Sequence, residues 1–98
     1  MSPDITVRPA TANDADTLAR FNEAMAQETE NKTLDPDTVR AGVENVFNDS
    51  TRGFYLVAEE EEALVGSLMV TTEWSDWRNG TFWWIQSVYV RPADRRTG

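Results

Sequence analysis

The sequence predicts an α+β domain with the element order β-α-α-β-β-β and an antiparallel sheet. The first half of the chain places apolar residues at helical spacing behind two N-terminal capping signals, whereas from Gly53 onward the apolar period falls to two. A short alternating segment precedes the helices, and no repeat, linker or low-complexity tract interrupts the 98 residues. We therefore expect a single domain over residues 1–98.

The first strand and the first helix follow from alternation and capping. Ile5–Ala10 alternates apolar and polar residues, which is typical of a short strand. Thr11 and Asp14 resemble an N-terminal capping pair with Asp in the place of the usual Glu. We expect the helix to fray within the polar stretch Gln27–Thr33. One face of this helix carries the apolar residues Ala15, Leu18, Phe21 and Met25.

The second helix has a clear start signal. Asp35 is the expected N-cap residue, and Pro36 occupies the first helical position, where its missing N–H costs nothing. The helix is amphipathic, and its apolar face is formed by Val39, Val43, Val46 and Phe47.

Three strands rich in β-branched and aromatic residues complete the domain. Glu59–Glu62 is expected to form the turn between the first two of these strands, with its like charges in water. Asn79–Gly80 is a hairpin-turn signal just before the last strand. Trp83 and Trp84 are adjacent in a strand and point to opposite faces, so at least one indole is expected in the core. The predicted strands are Phe54–Glu60, Ala63–Trp74 and Thr81–Val90.

Composition excludes several classes of function. The net charge is −8, from 17 acidic and 9 basic residues, and this argues against a nucleic-acid partner. The chain has no cysteine and no histidine, which excludes disulfides, Cys or His zinc sites and Ser-His-Asp triads. A general base must then be a carboxylate, a tyrosine, a water molecule or Lys32. The sequence shows no signal peptide and no membrane-spanning run, so we expect a cytoplasmic protein without a membrane partner.

The last fifteen residues, WIQSVYVRPADRRTG, carry a resemblance to a known family. Val88, Val90 and Pro92 fit a strand of the form hydrophobic-x-V-x-V/P, and Arg95–Gly98 fits the first four positions of the signature Gln/Arg-x-x-Gly-x-Gly/Ala. Together with the element order, this chain resembles the N-terminal part of the GCN5-related N-acetyltransferase (GNAT) superfamily. The resemblance implies a domain truncated within the loop that binds the acetyl-CoA pyrophosphate.

The resemblance also implies acetyl-CoA as co-substrate and a set of residues that bind it. In the family, backbone groups of this strand pair with the pantetheine arm, an N–H polarises the thioester carbonyl, and the glycine-containing loop cradles the phosphates. The acceptor is expected to be a primary amine of a small molecule. The cofactor-binding residues carried over are Val88, Tyr89, Val90, Arg95, Arg96 and Gly98.

The catalytic base is less well defined by the sequence. Many family members carry a Glu on the last strand, but here Gln86 stands near that place and cannot accept a proton at neutral pH. Glu73, in the segment TTEWSDWRNG, is the first candidate for the base or for a substrate anchor. Glu28 and Glu30 are weaker candidates.

Other interpretations stay open at this point. Trp74 and Trp77 either frame a cationic amine by cation–π contact or cap the end of the core, with Glu73 and Asp76 in water. An open, apolar edge at the last strand favours a homo-oligomer or pairing with a missing C-terminal half. The chain would then be a non-catalytic GNAT-like fragment that dimerises or binds a partner. A third possibility is a cation-binding module that uses the Trp/Glu hairpin without acyl chemistry.

Overall fold

A computed structural model describes residues 5–95 and confirms the predicted order of elements. Two helices pack on one face of a four-stranded antiparallel sheet with the strand order β1-β2-β3-β4. Short 3₁₀ turns lie at Ala12–Asp14, Ser50–Arg52 and Pro92–Asp94. The helices are α1 (Ala15–Glu30) and α2 (Pro36–Asn48), and the strands are β1 (Ile5–Pro9), β2 (Phe54–Glu60), β3 (Ala63–Ser75) and β4 (Gly80–Val90).

Both predicted helix starts are present. The backbone N–H of Thr11 donates to the Asp14 carboxylate over 2.8 Å, just before α1 begins. Asp35 caps α2, because its carboxylate accepts from the backbone N–H of Thr38 over 3.0 Å, and Pro36 is the first helical residue. The first pair caps the 3₁₀ turn Ala12–Asp14, which leads directly into α1, and Asp35 satisfies an N–H group at the start of α2 that has no partner within the helix.

α1 ends within the stretch Gln27–Thr33, as predicted, but its end is closed by hydrogen bonds and does not fray. The helix stays regular through Gln27 and Glu30, and it ends at Asn31, which adopts a left-handed conformation with φ of 51°. The backbone N–H groups of Asn31 and Lys32 donate to the carbonyls of Gln27 and Ala26. These bonds close the end of the helix, so the polar last turn is stabilised without a buried apolar face.

The core lies between the helices and the sheet. Leu18 has no exposed surface, and Val57 on β2 is 1% exposed. The predicted apolar faces of both helices point into this core, since Ala15, Val43 and Val46 belong to the same buried cluster. Burial of these side chains supplies most of the free energy that holds the helices on the sheet.

The far face of the sheet, which the helices do not cover, is apolar and exposed. Trp83 is 69% exposed, and the adjacent Trp84 is also half exposed. The prediction that at least one of these two tryptophans lies in the core was therefore wrong. Trp74 and Trp77 do not cap the core either, and Trp77 is almost fully in solvent. Because both helices pack on the opposite face, the aromatic side chains of the far face have no covering layer among the described residues. The exposed residues of the far face include Val7, Trp83, Ile85 and Val88.

Candidate functional site

Two adjoining clefts lie where α1 meets β4. The first, here called the helix cleft, has a volume of about 550 Å³ and lies between both helices and the sheet. The second, the strand-end cleft, has a volume of about 370 Å³ and lies between the end of α1 and the end of β4. Met25 and Thr29 line both clefts, so the two spaces meet at the last turns of α1.

The strand-end cleft brings together residues that are far apart in the sequence. Arg95 donates from Nη2 to Glu28 Oε1 over 2.5 Å and from Nε to the carbonyl of Val90 over 2.8 Å. The Tyr89 hydroxyl donates to Glu28 Oε2 over 3.3 Å. The Arg95 guanidinium also lies 5.4 Å from the centre of the Tyr89 ring. Glu28, Tyr89 and Arg95 therefore form one connected cluster.

Tyr89 is anchored by packing as well as by its hydroxyl. Its side chain is 7% exposed, and its ring lies 5.0 Å from that of Phe21 on α1. Burial raises the pKa of the Tyr89 phenol above its usual value, and the nearby Glu28 carboxylate raises it further. The phenol is therefore protonated at neutral pH and acts as a hydrogen-bond donor. Tyr89 therefore packs against α1 and also lines the strand-end cleft.

A β-bulge at Gln86 interrupts the pairing of β3 and β4. Met69 pairs with Ser87, but the next residue, Val70, pairs with Ile85, so Gln86 is the extra residue on β4. Gln86 Nε2 donates to Thr71 Oγ1 over 2.7 Å, and the residue lines the helix cleft together with Ser87. The bulge thus places an amide side chain at the wall of the larger cleft.

The candidate carboxylates occupy three different positions. Among the described residues that line the helix cleft, Glu30 is the only charged one. Glu28 belongs to the strand-end cluster. Glu73 lies farther out on the β3–β4 hairpin, where its Oε1 accepts from the Trp84 indole N–H over 2.8 Å. The structure therefore does not bring the three candidates together.

Among the cofactor-binding candidates, Val88, Tyr89, Val90 and Arg95 line the strand-end cleft. Arg96 and Gly98 lie outside the described residues. Sequence reasoning did not single out Asn22, whose amide donates to the Tyr55 hydroxyl over 3.5 Å at the wall of the helix cleft. The signal available in the sequence was a polar residue, Asn22, directly after Phe21 of the apolar face of α1. Within residues 5–95, no group of His, Cys, Asp or Glu side chains is arranged to hold a metal ion.

Comparison with known proteins identifies the family. The family model described as the acetyltransferase (GNAT) family matches residues 17–98, which include most of α1, all of α2 and the strands β2 to β4. This chain belongs to the GNAT family. No curated protein matches it. The two helices and four strands correspond to the N-terminal part of the GNAT fold, as the resemblance implied.

Solved structures share the same fold. A possible acetyltransferase from Clostridium difficile 630 is 48% identical to this GNAT chain, with a TM-score of 0.91 over 96% of the chain. A ribosomal-protein-alanine N-acetyltransferase from Brucella melitensis biovar Abortus 2308 is 16% identical, with a TM-score of 0.74 over 94% of the chain. An aminoglycoside N-acetyltransferase in complex with CoA is 9% identical, with a TM-score of 0.74 over 98% of the chain. The last two likenesses show the fold alone.

The GNAT chain spans about three-fifths of the length of these proteins, at 62%, 60% and 61% of the three chains. In the part of the chain that the structure describes, no helix is both long enough and apolar enough to cross a membrane.

Proposed function

We propose that this chain binds acetyl-CoA along β4 and takes part in transfer of the acetyl group to a primary amine of a small molecule. The observation that supports this most is the position of β4. It is the last strand in the order of the described sheet, and it borders both clefts. Its outer backbone groups are thus available next to a space that a ligand can fill, which is the geometry of strand addition to a sheet edge.

The residues present fit acetyl-CoA. Backbone N–H and C=O groups of Val88–Val90 would pair with the pantetheine arm in the strand-end cleft, and the segment Arg95–Gly98 would hold the pyrophosphate. Bound acetyl-CoA supplies an activated acetyl thioester. The bulge at Gln86 lies in the part of β4 that lines the helix cleft, just before the part that lines the strand-end cleft.

The acceptor amine is proposed to enter the helix cleft. Its walls are largely apolar, with Met25, Leu34 and Val39 among the lining residues, and Glu30 adds one negative charge. An ammonium group with a small apolar body complements such a space. The net charge of −8 also favours a cationic acceptor over an anionic one.

Transfer forms an amide C–N bond and breaks the thioester C–S bond. A bound ammonium loses one proton to become a nucleophilic amine, the nitrogen loses a second proton after attack, and CoA leaves as its thiol. Glu30 is the candidate base because it lines the cleft. Its carboxylate would accept the proton from the amine directly or through one water molecule. Gln86 cannot take the proton, but its amide oxygen can accept a hydrogen bond from the amine. Glu73, held by Trp84, is better placed to anchor the outer end of a cationic acceptor by charge and by the indole face.

Thermal unfolding of the chain with acetyl-CoA tests the proposal. A ligand at 100 times its Kd adds about 2.7 kcal/mol to the free energy of unfolding. For a domain of this size we expect a rise in Tm on the order of ten degrees. S-acetylpantetheine, which carries the thioester without the phosphates, is the matched control and should give a much smaller shift. Equal shifts for the two ligands, or none, would contradict the proposal.

A second candidate function rests on the exposed far face of the sheet. Val7, Ile85 and Val88 are each more than half exposed, and Trp83 adds a large aromatic surface beside them. An apolar surface of this kind favours association with another protein surface. The chain would then act as a non-catalytic, dimerising or partner-binding GNAT module.

A further inference from the structure

We propose that Glu73, Phe82 and Trp84 form a second cation-binding subsite, here called the hairpin subsite, and that the acceptor is a linear aliphatic diamine whose second ammonium group it holds. This inference rests on the proposed function, since it names the class of acceptor that would enter the helix cleft. The observation that carries it is the placement of these three side chains on the same face of the sheet as that cleft.

Strand register places the hairpin subsite next to the helix cleft. Met69 on β3 lines the cleft and packs against the core. Alternate residues of a strand point to the same face, so Thr71 and Glu73 follow Met69 outward in two steps of about 7 Å each. On β4, Trp84 lies opposite Thr71 and therefore shares this face. Phe82 lies opposite Glu73 and shares it as well. The subsite thus continues one wall of the cleft along the hairpin.

A hydrogen bond between Gln86 and Thr71 lies at the passage from one space to the other. Gln86 lines the helix cleft, and its Nε2 donates to Thr71 Oγ1 over 2.7 Å. Thr71 is the residue between Met69 and Glu73 on this face of β3. Because the two polar groups bond to each other, the methylene chain of a diamine can pass over them without breaking a hydrogen bond to water alone.

The side chains of the hairpin subsite suit an ammonium group. The Trp84 indole N–H donates to Glu73 Oε1 over 2.8 Å, which holds the carboxylate beside the indole through one of its two oxygens. The Phe82 and Trp84 rings lie 6.5 Å apart, and both are exposed. The Arg78 guanidinium lies 5.5 Å from the centre of the Phe82 ring, so a cation of the chain itself already occupies one of these aromatic faces. An ammonium group beside Glu73 and the Trp84 ring would gain both charge attraction and cation–π attraction.

Two separated carboxylates favour an acceptor with two positive charges. Glu30 lines the helix cleft, whereas Glu73 lies on the hairpin. A monoamine can pair with only one of them, and an amino acid would bring a carboxylate of its own that both repel. A linear diamine has an ammonium group at each end and an apolar middle, which complements the largely apolar wall that includes Met25 and Met69.

The test compares linear α,ω-diamines of four to eight carbons with the alkylamine of the same length. Affinities are measured for the full chain by NMR titration of the β3–β4 amide signals, without acetyl-CoA. We expect the best diamine to bind roughly tenfold more tightly than its alkylamine, because an ion pair and a cation–π contact are added. Glu73→Gln and Trp84→Leu should each reduce this ratio to about threefold or less.

Asp76→Asn is the matched control, because it removes the same charge from the exposed turn of the same hairpin. It should keep the preference for the diamine. An equal loss in Asp76→Asn would show that the preference follows net charge, and this would overturn the proposal. A ratio that Glu73→Gln leaves unchanged, or no preference for any diamine of the series, would overturn it as well.

Thermal unfolding with acetyl-CoA keeps this proposal separate from the proposed function. If acetyl-CoA does not stabilise the chain but the diamine preference and its loss in Glu73→Gln are observed, the proposed function fails and the hairpin subsite stands as a cation-binding site. If acetyl-CoA stabilises the chain and no diamine is preferred, the hairpin subsite alone is overturned.

Discussion

At the scale of single residues, Arg8 and Asp14 form the best-defined ion pair of the fold. Arg8 Nη1 and Nη2 donate to the two oxygens of Asp14 over 2.9 and 3.1 Å, and Nε donates to Glu59 over 3.2 Å. The Asp14 side chain is 11% exposed, and it also accepts from the Thr11 backbone N–H at the start of α1. One carboxylate thus joins β1 to the helix start, so its loss affects both elements.

We predict that Asp14→Asn lowers the free energy of unfolding by about 1–3 kcal/mol at pH 7, because it breaks charge-assisted hydrogen bonds in a largely buried position. The hydrogen bonds from Arg8 hold the pKa of Asp14 below its ordinary value of 3.8. A carboxyl group with a lowered pKa stabilises the fold above its unfolded pKa and loses this effect as the pH falls through the folded pKa.

Urea unfolding at several pH values checks this prediction. The difference in the free energy of unfolding between the wild-type chain and Asp14→Asn should be largest at neutral pH and should shrink below about pH 4. Asp76→Asn, in the exposed turn between β3 and β4, is the control and should change stability by less than about 0.5 kcal/mol. A difference that stays constant with pH would show that the charge of Asp14 is not what stabilises the fold.

At the scale of elements, the close approach of β3 and β4 depends on Gly66. A Cβ atom at this position would lie 2.8 Å from the Tyr89 carbonyl oxygen and 3.6 Å from the Val90 side chain. The backbone oxygen cannot move without β4, so a side chain here displaces the strand that borders both clefts. Gly42 on α2 differs, since an added Cβ there has no atom within 4 Å.

We therefore predict that Gly66→Ala lowers the free energy of unfolding by about 1–3 kcal/mol and weakens acetyl-CoA binding, because β4 and Tyr89 shift together. Gly42→Ala should raise stability by about 0.5–1 kcal/mol, since alanine is the better helix former and meets no obstacle. Unfolding curves and calorimetric titration of both variants provide the measurement. An unchanged Kd for Gly66→Ala would contradict the role of β4 in ligand binding.

Elements were more predictable than contacts between them. Periodicity and capping residues are local, and they fixed both helix starts and β2 as Phe54–Glu60. The stretch in which α1 ends was predicted, but the closure of that end by a left-handed Asn31 was not, because the polar composition of the stretch does not reveal it. No local pattern predicted the ion pair of Glu28 with Arg95 or the bulge at Gln86, because both depend on how strands and helices meet in space.

At the scale of the whole molecule, the sheet is covered on one side only in the part of the chain that the structure describes. Sequence alternation correctly indicated strands but could not say which of their faces would find a partner. Aromatic residues in a sequence usually indicate core positions, yet Trp77 is 95% exposed and Trp83 is 69% exposed. Local patterns record how apolar a face is, whereas its burial depends on which other elements reach it.

We predict that this face makes the isolated chain associate. Sedimentation at about 100 µM should give a mass above that of a monomer, because burial of exposed Ile85, Val88 and Trp83 against a second surface is favourable. Ile85→Glu should restore the monomer mass while the helical circular dichroism stays the same. A monomeric wild-type chain at this concentration would count against the partner-binding function.

The position of the tryptophans also determines what tryptophan fluorescence can measure in this protein. All four indoles, at residues 74, 77, 83 and 84, lie on the β3–β4 hairpin and none lies in the buried cluster. Their emission is therefore already that of water-exposed indoles in the folded state, and denaturation will shift its wavelength little. Ultraviolet fluorescence becomes instead a local probe of the hairpin, and of Trp84 with its bond to Glu73 in particular. A titration that quenches this emission while the far-ultraviolet ellipticity holds steady would map ligand contact to that hairpin.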